Sequence, residues 1–534
     1  MPRPLTKSPD GRDESAVFGR ARAAYGLATA IAVGVTAYFA LFPFDFHRSG
    51  DQTLGGSVAA FDLTFNEDYA FLDLPVNVVF FVPFGFALAG LMRALSVGPI
   101  RIRVGVAGAG LLLAFVFELL QSLLLTRFAS VADVLANGLG AAVGAEMLLR
   151  WGDGMVSWSA RVARKIIHWF DLPRLGLLGI VWFAAAVGLS AAASATTTLN
   201  GWDPGFPLVV GNEVGGERPW EGVMSSLYVV DAVLDVDEAR ALSDGRPGEL
   251  AADAEVLVGH DFRSGLDGTP SLVWEGADAG EVDPRGVKLG ADAWLISPGP
   301  VAGVSRALDE SSEFTLIVDA AARDLVQGGP ARLVSISNGP TTRNLTIGQE
   351  GADLVVRMRT WLFGPDGSVP ELVVPDVFTD TSARRLILRF DGSTISATVD
   401  GPDWSIERST EFAPEVAGLV LAFPNALSEM RLGSSWILLS TYRLLVFLPV
   451  ICLVVMLVSR RAAGGLVAAV LIGILAATGY EAALATTIGT YEMRMSRVVL
   501  SASVVAVSTV AVLLCRHMLS RPVGPDRRLD PACR

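Results

Sequence analysis

Seven residues in the first third of the chain are of types and spacings that do chemistry: Asp73, Asn77, Glu118, Gln121, Arg127, Asp133 and Asn137. Asp73/Asn77 and Asp133/Asn137 are spaced i,i+4, and Glu118/Gln121 i,i+3, so on helices each pair shares one face. A carboxylate beside an arginine suits two tasks. Glu118 or Asp133 could act as general base, its pKa raised toward neutrality by burial, while Arg127 pairs a phosphate. The same groups could instead hold a headgroup, sugar or pyrophosphate without reaction. A third reading has them merely hydrogen-bonding helices together, which in membranes is common.

The elements that must carry these residues are apolar. Half of the 534 residues are hydrophobic and the net charge is -13, a combination that points to two solvents. A helix needs roughly 20 apolar residues to cross the hydrocarbon layer. About eight stretches qualify by that measure: 24–43, 75–93, 104–125, 131–149, 175–193, 436–458, 464–480 and 497–515. The first follows a long polar start without a small-residue cleavage site, so it reads as a retained span.

Basic residues set the orientation, because cytoplasmic loops are enriched in Lys and Arg. Arg20 and Arg22 precede the first stretch, and Arg93, Arg101 and Arg103 follow the second. Arg150, Arg161, Arg164, Lys165 and Arg174 follow the fourth, Arg460 and Arg461 the sixth, and Arg516, Arg521, Arg527 and Arg528 the last. The alternate loop is acidic, with Asp45, Asp51, Asp62, Glu67 and Asp68. Both termini are therefore expected in the cytoplasm of a multi-pass protein, with 194–435 outside. Trp169 and Trp436 lie near the expected interfaces. The seven polar residues then converge on the outer-leaflet end of three helices. Clustering at one depth favours a site over simple glue.

The run Asp73-Leu-Pro-Val-Asn77 followed by Phe81-Val-Pro-Phe-Gly85 resembles the VanZ-like family pattern of an acid, an Asn and a Phe-x-Pro-x-Gly turn. Phe117-Glu-Leu-Leu-Gln121, Arg127, Asp133 and Asn137-Gly-Leu-Gly140 resemble its second block. The likeness spans about 25–150. It implies a bacterial envelope membrane protein, of a family associated with lowered sensitivity to glycopeptide antibiotics such as teicoplanin. Thr126-Arg-Phe-Ala-Ser130 departs from the Pro-Gly-Arg-like turn of that pattern. Pro83, Gly85, Gly138 and Gly140 suit kinking and close helix packing.

Between Ser194 and Ser435 the texture changes, with about 37 acidic against about 17 basic residues. Such a segment repels phosphate backbones, so nucleic acid is excluded as a partner. The cysteines, Cys452, Cys515 and Cys533, all lie outside it, which excludes a disulfide scaffold. The four histidines (His47, His168, His260, His517) make no zinc pattern. Strands are expected at 314–319, 332–337, 344–347, 354–358, 385–390 and 394–399, the last two joined by Asp391-Gly392. Short strands at this spacing predict an all-β sandwich or jelly roll.

The Phe314 strand, the Arg332 strand with its Ser-Asn-Gly turn and the Arg389-Phe-Asp-Gly hairpin resemble the middle of the concanavalin A/laminin-G-like family. Trp220–Val230, followed by helical 235–242, resembles that family's closing strand and here comes first. The expectation is a circularly permuted sandwich, with the 223–230 strand paired to the 385–399 hairpin. The resemblance implies carbohydrate or cell-surface binding and, in some members, calcium. No EF-hand loop occurs. Asp235-Val-Asp237-Glu238 sits on the wrong element for a glycosidase strand, and no paired carboxylates are specified.

The resulting plan is a multi-domain chain: a cytoplasmic tail (1–23), a VanZ-like four-helix transmembrane domain (24–150), a cytoplasmic linker (151–174) and a fifth span (175–193). A lectin-like β-sandwich (196–434), three C-terminal spans (436–515) and a cytoplasmic tail (516–534) follow. In those last spans Arg443 is expected to snorkel. Glu481, expected to end span seven, echoes with Arg494 and Arg497 the spacing of Glu118, Arg127 and Asp133. Three functions stay open. One is a non-enzymatic binder of an outer-leaflet group with a glycan-binding ectodomain. The others are a membrane enzyme on a lipid-linked wall or polysaccharide precursor, and an envelope scaffold. No nucleotide loop or nucleophile elbow supports catalysis.

Overall fold

The computed structural model describes residues 14–41, 73–122, 130–169, 172–246, 254–278, 280–412, 414–422, 429–431, 436–458, 465–488, 491 and 493–519. It divides into two compact units: Met1–Gly179 with Pro449–Leu471 and Val505–Arg534, and Ile180–Leu448 with Ile472–Val504.

The first unit is built on α1 (Glu14–Leu41), α2 (Asp73–Ala94), α3 (Pro99–Gln121) and α4 (Val131–Trp169). Apolar segments of this length satisfy their backbone internally only as helices. Pro99 opens α3 at a position whose N–H needs no partner. α2 and α4 approach closely because glycines line their seam. A Cβ on Gly85 would overlap the Ala141 backbone, and one on Gly140 or Gly144 would strike the carbonyls of Val78 or Val82. Phe81, Phe84, Val106, Phe117, Ala141 and Ala145 fill the space between helices. Val104, Leu112 and Leu139 face outward, as lipid-facing positions must.

α4 runs for 39 residues. The stretch expected as a linker after 150 therefore continues the helix as far as Trp169. Near the arginine-bearing end, Arg93 pairs with Asp153 at 2.9 Å and Arg103 with Glu146 at 2.7 Å.

The second unit takes in most of α5 (Leu172–Ala195) and a β-domain with seventeen strands among the described residues. These are β1 (Pro207–Val210), β2 (Gly222–Val230), β3 (Val256–Asp261), β4 (Gly268–Thr269), β5 (Val273–Glu275) and β6 (Glu281–Asp283). Then come β7 (Gly286–Leu289), β8 (Trp294–Pro300), β9 (Phe314–Ala322), β10 (Ala331–Ser337), β11 (Arg343–Glu350) and β12 (Asp353–Met358). The last are β13 (Glu371–Val374), β14 (Arg384–Phe390), β15 (Thr394–Asp400), β16 (Ser405–Glu411) and β17 (Glu429–Arg431). One sheet has the order β17-β13-β12-β11-β10-β1-β8-β5. The other runs β16-β15-β14-β9-β2-β3-β4, with β7 beside β2 and β6 beside β7. Pairing is antiparallel except between β13 and β17.

Three short helices interrupt the strands: α6 (Val236–Ser243), α7 (Ala302–Ser311) and α8 (Glu415–Ala422). Only α6 was expected. It covers Val230, Ile317 and Ile387 through Leu234, Ala239 and Leu242. Leu316, Val318, Leu386 and Leu388, also fully buried, alternate onto the opposite face. Strand β9 is therefore apolar at nearly every position. The chain closes with α9 (Trp436–Val458), α10 (Gly465–Thr487) and α11 (Met495–Leu519).

Every expected strand is present within a few residues of its expected limits. The permuted pairing is not. Strand β2 pairs with β9, β3 and β7, while β9 stands between it and the β14–β15 hairpin. An apolar strand buried on both faces belongs at the centre of a sheet, and β9 has taken the position that the permuted arrangement assigns to β2.

Among the described residues five helices are long and apolar enough to cross a membrane: 21–41, 75–94, 99–121, 131–159 and 176–195. The apolar stretches described within α9, α10 and α11, Leu438–Cys452, Leu471–Thr487 and Met495–Thr509, are shorter. The chain is a multi-pass membrane protein with a β-domain.

Candidate functional site

Four helix ends build the polar site of the first unit. The short connection 95–98 sets α2 and α3 antiparallel, so the start of α2 lies beside the end of α3, and the start of α4 returns to the same end. Asn77, in the second turn of α2, donates from Nδ2 to Asp133 Oδ1 at 2.7 Å. Glu118, one turn from the end of α3, is 4% exposed, and its Oε2 accepts the backbone N–H of Ser130 at 2.9 Å. That bond ties α3 to the first turn of α4. Gln121 Nε2 donates to the Ala40 carbonyl at 2.9 Å, bringing in the last turn of α1.

Asn137 lies one turn below Asp133, buried at 7% exposure, and its Oδ1 has no hydrogen-bond partner. The Ser130 hydroxyl is likewise buried without a partner. Five of the seven sequence candidates, Asn77, Glu118, Gln121, Asp133 and Asn137, thus meet at one end of the bundle. Asp73 begins α2, with its side chain outside the described residues, as is the whole of Arg127. The acidic loop at 45–68 also lies outside them.

The arrangement offers two carboxylates, three amides and a hydroxyl within about one turn of the helix ends. Spare acceptor capacity at Asn137 can receive a hydroxyl or ammonium donor, and the amides can donate to phosphate or carbonyl oxygens. Phe81, one turn deeper than Asn77, and Phe117, next to Glu118 in the chain, have ring centroids 6.4 Å apart. They close the site on its apolar side.

A second buried polar cluster lies in the other unit and escaped the sequence reading. Arg443 of α9 does not snorkel. Its side chain is 0% exposed and pairs with both Glu415 of α8 and Glu481 of α10, each equally buried. Arg443 Nη2 also donates to the Tyr491 hydroxyl at 3.0 Å, which in turn donates to Glu481 Oε2 at 2.7 Å. The Tyr480 ring lies 5.2 Å from the guanidinium carbon. Glu481, expected at the end of its helix, is interior to α10.

Nearby, Ser190 Oγ of α5 bonds the hydroxyls of Tyr480 (2.7 Å) and Tyr442, and Arg497 of α11 pairs with Glu411 of β16. Snorkelling failed as an expectation because two acids remote in sequence reach Arg443 before water does. A buried guanidinium requires such partners. The available signal was Glu415, an acid opening an otherwise apolar helix at the edge of the β-domain.

Three acids of the β-domain serve one short helix. Asp235 caps α6 and Glu238 completes its capping box, while Asp237 pairs with Arg240 at 3.0 Å. Among the described residues no group of three or more His, Cys, Asp or Glu side chains gathers as a metal site.

No curated protein and no solved structure matches this chain. Against protein-family models the outcome is specific, and it falls on the bundle whose helix ends form the polar site: residues 27–152 match the VanZ/LLP1 family, so the chain carries a VanZ/LLP1 family domain.

Proposed function

We propose that this protein is a bacterial envelope membrane protein whose VanZ-type bundle binds the polar headgroup of a lipid-borne molecule at the outer leaflet. One observation carries the reading. Buried Glu118 and the Asn77–Asp133 pair lie on converging helix ends, with the unpartnered Asn137 carbonyl one turn below Asp133. Residues that only glue helices have no need to share a depth, whereas a headgroup site does. Arg127, between Glu118 and Asp133 in sequence, supplies the cation for a phosphate.

The arginines of the opposite end make that end cytoplasmic. With α9, α10 and α11 counted as spans, eight crossings leave both termini inside and residues 194–435 outside. The β-domain is then an ectodomain, and the sequence likeness to the concanavalin A/laminin-G-like family supports a surface-binding role for it, on a cell-wall glycan. The domain limits are those of the sequence plan, with 151–169 continuing α4.

A second reading makes the same site catalytic. Glu118, at 4% exposure and beside the first turn of α4, is favoured as the general base.

Chain in nanodiscs, titrated with a short-chain polyprenyl pyrophosphate carrying one sugar, tests both. Headgroup binding predicts saturation that Glu118→Gln weakens at least tenfold. The enzyme reading predicts consumption of the probe, with Glu118→Gln losing turnover while affinity holds. Glu118→Gln without effect on either would leave the cluster as packing. In cells, a binder of this kind predicts that deleting the gene changes teicoplanin sensitivity.

A further inference from the structure

In the eight-stranded sheet one face is apolar and the other carries a polar stripe. Val334, Ile336, Leu345, Ile347 and Val356 alternate with Ser335, Thr346 and Arg357, which stand opposite one another across β10, β11 and β12. Ser335 and Thr346 are fully buried, their hydroxyls 2.9 Å apart.

Two arginines at this stripe are also buried, each 1% exposed: Arg332 on β10 and Arg343 on β11. Among the described residues the acid paired with either is Glu213, itself 0% exposed, at 3.3 Å from Arg332 Nε and without hydrogen-bond geometry. Arg332 Nη1 and both Nε and Nη1 of Arg343 are buried with no hydrogen-bond partner. The Asn212 amide nitrogen is unpartnered too. Its orientation is fixed, because Asn212 Oδ1 accepts the N–H groups of Glu213 and Arg218. Arg357 is already paired with Glu371 at 2.6 Å.

Every unsatisfied group in this cluster is a donor. Burial, with the charge of Arg343 next, pushes the Arg332 guanidinium down to about 10. Arg343 is pushed down by burial and by Arg357, with Asp366 and Glu213 opposing. A buried cation without a full partner is costly. What would relieve it is a compact acceptor with two or more oxygens, matched to guanidinium forks.

Glu213 sits in the loop Gly211-Asn-Glu-Val-Gly-Gly216, where Gly211, Gly215 and Gly216 take left-handed φ values of 87°, 95° and 82°. The carboxylate is held there by Val214 N–H at 3.0 Å and by the Ser337 hydroxyl. It is an acid side chain lowered on a glycine-rich loop onto an excess of donors.

We propose that Arg332 and Arg343 form an oxyanion-binding site on the β-domain, and that Glu213 is its internal occupant, which an incoming phosphate, sulfate or carboxylate displaces. The donors are closed to solvent in the ligand-free chain, so the 211–216 loop lifts for the ion to enter. The domain is otherwise strongly acidic, so specificity for an anion here comes from these buried guanidinium groups and not from the surface field.

Calorimetric titration of the full chain in nanodiscs with inorganic phosphate, sulfate and glucuronate tests this. Wild type is expected to bind one equivalent weakly. Glu213→Gln, which keeps the shape and removes the competing charge, is expected to bind at least tenfold tighter, with the ion raising its unfolding temperature. Arg343→Lys is expected to lose at least tenfold.

Equal response to the inorganic ions marks a free-anion site. Response to glucuronate alone marks an organic-acid site. No saturable binding by wild type or Glu213→Gln overturns the proposal, as does tighter binding in Glu213→Gln that Arg343→Lys leaves within twofold. Should Glu213→Gln fail to fold, wild type, Arg343→Lys and Ser337→Ala decide. The serine variant frees the Glu213 carboxylate from one donor and is expected to tighten binding about threefold, and unchanged or weaker binding counts against displacement.

Discussion

Asn77 and Asp133, fifty-six positions apart, meet because glycines let α2 and α4 press backbone to backbone. Interhelical polar contacts of this kind contribute about 0.6–2 kcal/mol. Asn77→Asp sets two carboxylates against each other and should lower the unfolding temperature in detergent more than Asp133→Asn does. The exchanged double variant, Asn77→Asp with Asp133→Asn, restores a donor and an acceptor. It should recover most of the loss. Two single losses that simply add would show that the pair does not interact.

The seam itself can be tested apart from the polar groups. Gly144→Leu drives a side chain into the Val82 carbonyl and the backbone of Gly85 and Phe86. It should abolish folding of the bundle, read as loss of monodisperse protein on extraction. Gly108→Leu, on an open surface of α3, should be tolerated.

Arg443→Met leaves Glu415 and Glu481 buried without their cation. Breaking a buried pair from one side costs about 3–5 kcal/mol. The variant should expose the β-domain and the flanking helix ends to limited proteolysis. Adding Glu415→Gln and Glu481→Gln removes the stranded charge and should restore much of the resistance. If the single variant is as resistant as wild type, the cluster contributes little to holding these elements together.

His260 gives the β-domain a pH dependence. The ring is fully buried, stacks on Phe262 with centroids 5.2 Å apart, and bonds the Pro270 carbonyl through Nε2 at 2.8 Å. Its Nδ1 is buried without a partner. Burial lowers its pKa, the Pro270 bond opposing. The unfolded chain therefore binds a proton first. Stability is complete above the unfolded value of about 6.5 and is lost as pH falls toward the folded one. Chemical unfolding of wild type at pH 7.5 and 5.5 should show the decline, and His260→Gln should flatten it. An unchanged slope in the variant would assign the effect elsewhere.

The long apolar helices and the strands from β9 to β15, β13 apart, were legible in the sequence, because length, apolar content and period-two alternation are local properties. The expected strand at 394–399 and the observed β15 differ by a single residue. The polar site of the bundle was also legible, since i,i+4 spacing and alternating crossings together fix a depth. What local patterns did not contain were choices among long-range partners. Strand β2 could sit beside the hairpin or beside β9, and only the two-sided burial of β9 decides. Arg443 had water, lipid interface or an acid as possible destinations. Its partner Glu415 lies 28 positions earlier in the chain, beyond any helical or strand period. Arg332 and Arg343 read as ordinary strand residues, because nothing local tells a buried arginine from an exposed one.

The clamp around Arg443 bears on how the β-domain can move. A domain leashed by one flexible strand swivels freely and samples every bearing. This one enters from α5 and leaves into α9, and it is pinned between those two attachment points by Glu415 and again by Glu411 on Arg497. Swivel about either leash is thereby blocked. A load on the domain then reaches the adjoining ends of α9, α10 and α11 through these ion pairs as well as through the two chain connections.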